Sequence, residues 1–137
     1  MKILKGFSGG IAANYIQAGG VVLALAVMAG AFGAHALQPL LDEKYIKTYH
    51  TAVDYHFYHG FALVICGLMS TVANPAGLKW AARFFMIGLL LFCGSLYALT
   101  LAMAAGNPSL RWLGAITPFG GMSFIIGWIL LARAMYK

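Results

Sequence analysis

An all-α integral membrane protein is predicted, a bundle of four transmembrane helices with an amphipathic helix beside the bilayer in the first outer loop. Three observations predict it. The 137 residues are 62% hydrophobic and only 9% charged, whereas a soluble domain carries about 25% charged residues to keep its surface wet. Four apolar runs each approach the roughly 20 residues that a bilayer core requires of a helix. The apolar runs are continuous and lack the alternation of barrel strands, so helices satisfy the backbone inside lipid.

The first span is expected at about residues 16–35. Lys2 and Lys5 followed by an apolar core and Ala34-His35-Ala36 have the outline of a cleaved signal peptide. The stretch before that core is long and holds Asn14, Tyr15 and Gln17, so the segment is expected to stay as a span. Pro39 ends it, and Asp42 is placed to cap the next helix. From there Leu41, Tyr45, Tyr49, Ala52, His56 and His59 recur every three or four residues, while Glu43, Lys47 and Asp54 fall mostly elsewhere. That pattern predicts an amphipathic helix over about 41–55, lying at the interface or running into span two. His50 and Asp54, at i,i+4, read as a solvated pair. Spans two, three and four are expected at about 56–73, 84–105 and 113–134, the whole forming one domain. Only Arg133, at the very end, is charged within them.

Four spans place both termini on one side. Lys2, Lys5, Lys79, Arg83, Arg133 and Lys137 share that side with no acid, against Lys44, Lys47 and Arg111 opposite. The positive-inside rule counts Lys and Arg, so both termini are expected in the cytoplasm and the protein in the cell (inner) membrane. The net charge of +6 does not indicate nucleic acid, because the basic residues are scattered in ones and twos between apolar runs. Cys66 and Cys93 sit within apolar runs as small hydrophobes, without metal spacing. No nucleophile–base pair, phosphate loop or paired carboxylate appears, so no enzyme is expected.

Small residues recur at helical spacing: Ala26, Gly30 and Ala34 with Ala29 and Gly33; Gly94, Ala98 and Ala102; Gly120, Ser123 and Gly127. They let helix backbones approach in lipid, within the bundle or against a partner. Pro118, before Gly120-Gly121, reads as a helix start in the first turn, or as the break of a discontinuous helix.

His35, His56 and His59 fall toward the outer leaflet by topology, at the depth of Tyr97 and Thr117. Ionisable groups in membranes are costly and are functional candidates. Three readings stand: a polar cluster closing the bundle by hydrogen bonds, a metal or haem site using imidazole, or part of a proton or solute path. No carboxylate within a span supports a relay.

The strings Gly30-Ala31-Phe32-Gly33-Ala34-His35-Ala36-Leu37, Gly94-Ser95-Leu96-Tyr97 and Ile116-Thr117-Pro118-Phe119-Gly120-Gly121, with Gly127-Trp128, resemble the YgdD-like family of small four-span membrane proteins, called transmembrane protein 256 in animals. The likeness runs from about Ala18 to Ala132. It implies four spans, retention of span one, and recurring positions at His35, His59, Tyr97, Thr117, Pro118 and Gly120. His56 departs from it, glutamine being expected there in Tyr-x-x-x-His. The family has no agreed activity. The function expected is that of a non-enzymatic accessory or structural subunit, with the bilayer and other membrane subunits as partners and no cofactor. A haem- or metal-binding electron-transfer protein and a small transporter or channel are the alternatives.

Overall fold

The computed structural model describes residues 11–136, and these form helices with no strand among them. Helix α1 (Ile11–Phe32) continues through a π turn (Gly33–Leu37) and a 3-10 turn (Gln38–Leu40). Helix α2 (Glu43–Leu68) follows, ending in a 3-10 turn at Met69–Thr71. Helices α3 (Pro75–Gly88) and α4 (Gly94–Ala104) are joined by a π turn (Leu89–Cys93) into one rod. A 3-10 segment (Pro108–Ala115) leads into α5 (Thr117–Ala134). Lys2, Lys5, Gly9, Gly10 and Lys137 lie outside the described residues.

Three of these rods, Ala13–Leu40, Pro75–Ala104 and Pro108–Ala134, are long and apolar enough to cross a membrane. The α2 rod has 26 residues, about 39 Å at the helical rise. Its first half carries Glu43, Lys44, Lys47 and Asp54, so it falls outside that set. The amphipathic segment and the apolar run behind it are one unbroken helix from Glu43 to Leu68, the second of the two arrangements expected for them. Asp42 stands at its N-terminus with extended backbone, but its side chain makes no capping bond. Its carbonyl accepts from the Tyr45 and Ile46 amides instead. Glu43 and Lys47 pair at 2.6 Å on the solvated side, while His50 and Asp54 are both exposed.

The turns have local causes. Asn74 accepts from the Ala76 and Gly77 amides at 3.0 and 3.1 Å, with Pro75 fixing the first helical residue. Gly106 has φ +71°, a left-handed conformation that disfavours a Cβ, and Asn107 then caps Ser109 at 3.1 Å. Thr117-Pro118 opens α5, with Pro118 in its first turn as an ordinary start residue.

The rods pack as two hairpins, α1 on α2 and α3–α4 on α5. A Cβ on Gly19 would lie 2.9 Å from the Gly60 carbonyl oxygen, so these glycines set the closest approach of the first pair. Farther along, the Tyr49 ring fills the space above Gly33, and its hydroxyl donates to the Ala29 carbonyl at 2.7 Å. Gly30 is in ordinary contact, with Val53 at 3.6 Å.

In the second hairpin, three phenylalanine rings or backbones occupy the space that glycines leave. A Cβ on Gly127 would meet Phe85 at 2.7 Å, one on Gly120 would meet the Phe92 Cα at 2.7 Å, and one on Gly88 would enter the Phe124 ring. The Asn74 amide donates to the Ala134 carbonyl at 2.8 Å, and Ser123 Oγ donates to the Phe84 carbonyl at 2.7 Å. Gly94, expected in a close helix contact, has open space around it: a Cβ there would meet nothing nearer than the Leu89 carbonyl oxygen at 3.9 Å. The π turn just before it shifts the inward register, and Ser95 and Leu96 turn inward next to it.

The main core joins α2, α3 and α5 around Leu63, Cys66, Leu78, Phe85, Phe124 and Leu131. A smaller cluster at the other end gathers Leu37, Tyr49 and Val53. Large apolar side chains cover the outside, Leu90 at 74% exposure and Phe119 at 71% among them, as lipid-facing positions require.

Candidate functional site

Helix α2 projects Tyr49, Tyr55, His56 and His59 toward the second hairpin, because residues three and four apart share a helix face. These side chains bind the two hairpins together. Tyr49 meets Tyr97 with ring centroids 5.2 Å apart, and Tyr55 lies on Phe92 at 4.5 Å and 22°. Such ring pairs are worth about 0.5–1.5 kcal/mol beyond the area they bury.

His59 is buried within the bundle, 3% exposed. Its Nδ1 is 2.7 Å from the Tyr55 carbonyl oxygen, which can only accept, so Nδ1 carries the proton. Its Nε2 therefore presents a lone pair, and Trp128 Nε1–H donates to it at 3.2 Å. The imidazole lies flat on Phe124, with centroids 3.4 Å apart and planes at 9°. Both nitrogens are engaged in one tautomer. A second proton on Nε2 would set two N–H groups against each other, so the neutral ring is the form this packing holds. A groove of about 440 Å³ opens beside it, lined by Tyr55, Tyr58, Phe92, Ile125 and Trp128.

His56, half-buried, is a separate unit: its Nδ1 is 3.1 Å from the Tyr97 hydroxyl. Thr117 belongs to a third. Ser95 Oγ donates to the Phe92 carbonyl at 3.0 Å and lies 2.9 Å from Thr117 Oγ1. Since a hydroxyl has one proton, Thr117 is the donor between them. His35 is exposed on the π turn of the first rod and joins none of these three units. The structure thus brings His56 to Tyr97 and keeps His59, Thr117 and His35 apart from them.

The packing residues divide similarly. Gly33, Gly120 and Gly127 stand at tight contacts, and Gly30 and Gly94 do not. Residues not singled out as candidates complete the site: Trp128 and Phe124 around His59, and Ser95 for Thr117. A signal for Phe124 was present, since it shares a helix face with Gly120 and Gly127. Trp128 stands in the Gly127-Trp128 string of the resemblance, but nothing local pairs it with His59.

Among the described residues no three His, Cys, Asp or Glu side chains gather as metal ligands. No buried side-chain nitrogen or oxygen among them lacks a hydrogen-bond partner. What the site does chemically is hold helices together through neutral polar contacts within an apolar interior.

A family model described as "Protein of unknown function (DUF423)" matches residues 29–121. A UPF0382 membrane protein of Staphylococcus haemolyticus is 39% identical over 123 residues, covering 90% of this chain and 95% of the relative. A UPF0382 membrane protein of Staphylococcus epidermidis is 41% identical over the same length and shares. UPF0382 membrane protein YwdK of Bacillus subtilis is 39% identical over 124 residues, covering 90% of this chain and 96% of the relative. No solved structure matches the chain.

Proposed function

The chain belongs to the DUF423 family of UPF0382 membrane proteins, and from that premise we propose a four-span protein of the inner membrane that acts without enzymatic chemistry, as an accessory or structural subunit of a larger membrane complex. The likeness to the YgdD-like four-span proteins supports the number of spans. The observation that carries it is the state of the polar groups. His59, His56, Tyr97, Ser95, Thr117 and Ser123 are each spent on another group of the same bundle.

Helix α2 serves as the remaining span. It starts beside Leu40 at one end and finishes beside the turn where Asn74 meets Ala134, at the other. Lys79, Arg83 and Arg133 gather toward that second end, which we assign to the cytoplasm by the positive-inside rule. By the same rule we assign both termini to that side.

The haem or metal alternative asks His59 to surrender the Trp128 bond before its Nε2 could ligate, and gives it an exposed His35 as co-ligand. A transporter would need a polar path, and among the described residues the bundle interior is apolar apart from the paired groups named above and Thr100, which donates to the Leu96 carbonyl at 2.8 Å. Gentle-detergent capture through the C-terminus, repeated reciprocally from each captured membrane protein, tests the proposal. A stoichiometric partner recovered in both directions supports it. Recovery of the protein alone, with a Soret band or a bound metal, would favour the cofactor reading.

A further inference from the structure

A second groove, of about 560 Å³, lies between the start of α1 and helix α3, away from the histidines. Buried Leu63 and Ala82 form its floor, and Tyr15, Ala18, Met86 and Ile87 its walls. Its size falls in the range of small-ligand sites, about 300–1,000 Å³. The walls are almost wholly apolar, yet one rim carries Lys79 and Arg83, a turn apart and both exposed. The Arg83 guanidinium lies 4.8 Å from the centre of the Trp80 indole, which is itself half exposed. That stacking fixes the charge beside an aromatic suited to the headgroup level. Among the described residues no carboxylate lines the groove: Asp42, Glu43 and Asp54 all lie on α2 or just before it, toward the opposite end.

We propose that this groove binds one anionic phospholipid, its acyl chain along Leu63, Met86 and Ile87 and its phosphate on Lys79 and Arg83. An apolar slot continuous with a basic rim complements that amphiphile at both of its ends. A zwitterionic lipid would bring its own cation against the basic pair, and an apolar partner helix would leave both charges unmatched. The proposal needs only that this end lie at a bilayer surface, whichever side that is and whether or not a partner subunit exists.

The test is native mass spectrometry of the full chain, released from micelles containing equal amounts of phosphatidylglycerol and phosphatidylcholine. Wild type should retain phosphatidylglycerol preferentially. Lys79→Gln and Arg83→Gln should each reduce that preference by about fivefold, and Lys79→Arg should preserve it. Both positions are exposed, so melting in detergent should not change. Lys44→Gln/Lys47→Gln, at the far end, should keep the preference, and Ala18→Phe, which fills the slot, should lower retention of phosphatidylglycerol. Equal retention of the two lipids by wild type would overturn the proposal. So would a preference that survives Lys79→Gln/Arg83→Gln, one lost equally in the far-end variant, or retention indifferent to Ala18→Phe, since charge without the slot is not this site. A dimer that excludes lipid from the groove would overturn it as well.

Discussion

His59 shows how a residue can be singled out by its chemistry and then assigned by its neighbours. An imidazole within an apolar run draws attention because leaving it unpaired would cost free energy. Which nitrogen meets which group depends on Trp128, 69 residues away, and on Phe124; no local pattern encodes those contacts. Trp128→Phe strands a buried acceptor and should destabilise the detergent-solubilised protein by roughly 1–3 kcal/mol. His59→Ala/Trp128→Phe should lose less than the two single changes summed, because they share one bond. Additive losses in a denaturant double-mutant cycle would show that the bond contributes nothing.

Glycines at this scale make the complementary point. Small residues at four-residue spacing marked Gly33, Gly94, Gly120 and Gly127 as helix-contact positions, and spacing could not rank them. Gly120→Ala should lower stability by about 1–3 kcal/mol, since the new methyl meets Phe92 backbone that has nowhere to go. Gly94→Ala meets open space and should change stability by less than about 1 kcal/mol. Comparing the melting temperatures of the two variants decides it. A Gly94→Ala loss as large as that of Gly120→Ala would mean the helices sit otherwise than described. Gly19, Gly60 and Gly88 also stand at tight contacts, where a Cβ would fall within 3.0 Å of a neighbour, and lay outside the stripes recognised in the sequence.

At the scale of the element, helix starts and stops were more legible than helix continuity. Pro39 and Pro118 are local signals, and both stand where a helix ends or begins. The junction between the amphipathic segment and the run behind it has no such signal, so a juxtamembrane helix and a span remained separable in the sequence while the chain runs straight from Glu43 to Leu68. The π turns at Gly33–Leu37 and Leu89–Cys93 were illegible, because one extra residue per turn leaves no compositional mark. The second turn explains why Gly94 misses the helix contact that its spacing suggested. The Gly106-Asn107 turn gives this scale its prediction. Gly106→Ala forces a Cβ into a left-handed conformation and should cost about 1–2 kcal/mol, although nothing crowds the site. Gly106→Asn should cost less, as asparagine tolerates that region better. Equal losses in chemical denaturation would contradict this explanation of the turn.

For the whole molecule, composition settled the solvent: a chain with 9% charged residues cannot wet a globular surface, and its relatives are membrane proteins. The order of the rods follows from short connections between long helices. The pairing of α3–α4 with α5, sealed by phenylalanines against glycines, depends on which faces meet and so emerges only in three dimensions. The central claim at this scale is that α2 crosses the bilayer with the three more apolar rods. It is tested by locating both ends of the chain together. Three spans put the termini on opposite sides, and four put them on the same side. A reporter active only outside the cytoplasm should be silent when fused before Met1 and silent when fused after Lys137, yet active when inserted between Leu40 and Asp42. Silence at one terminus with activity at the other would remove α2 from the membrane and contradict the four-span account.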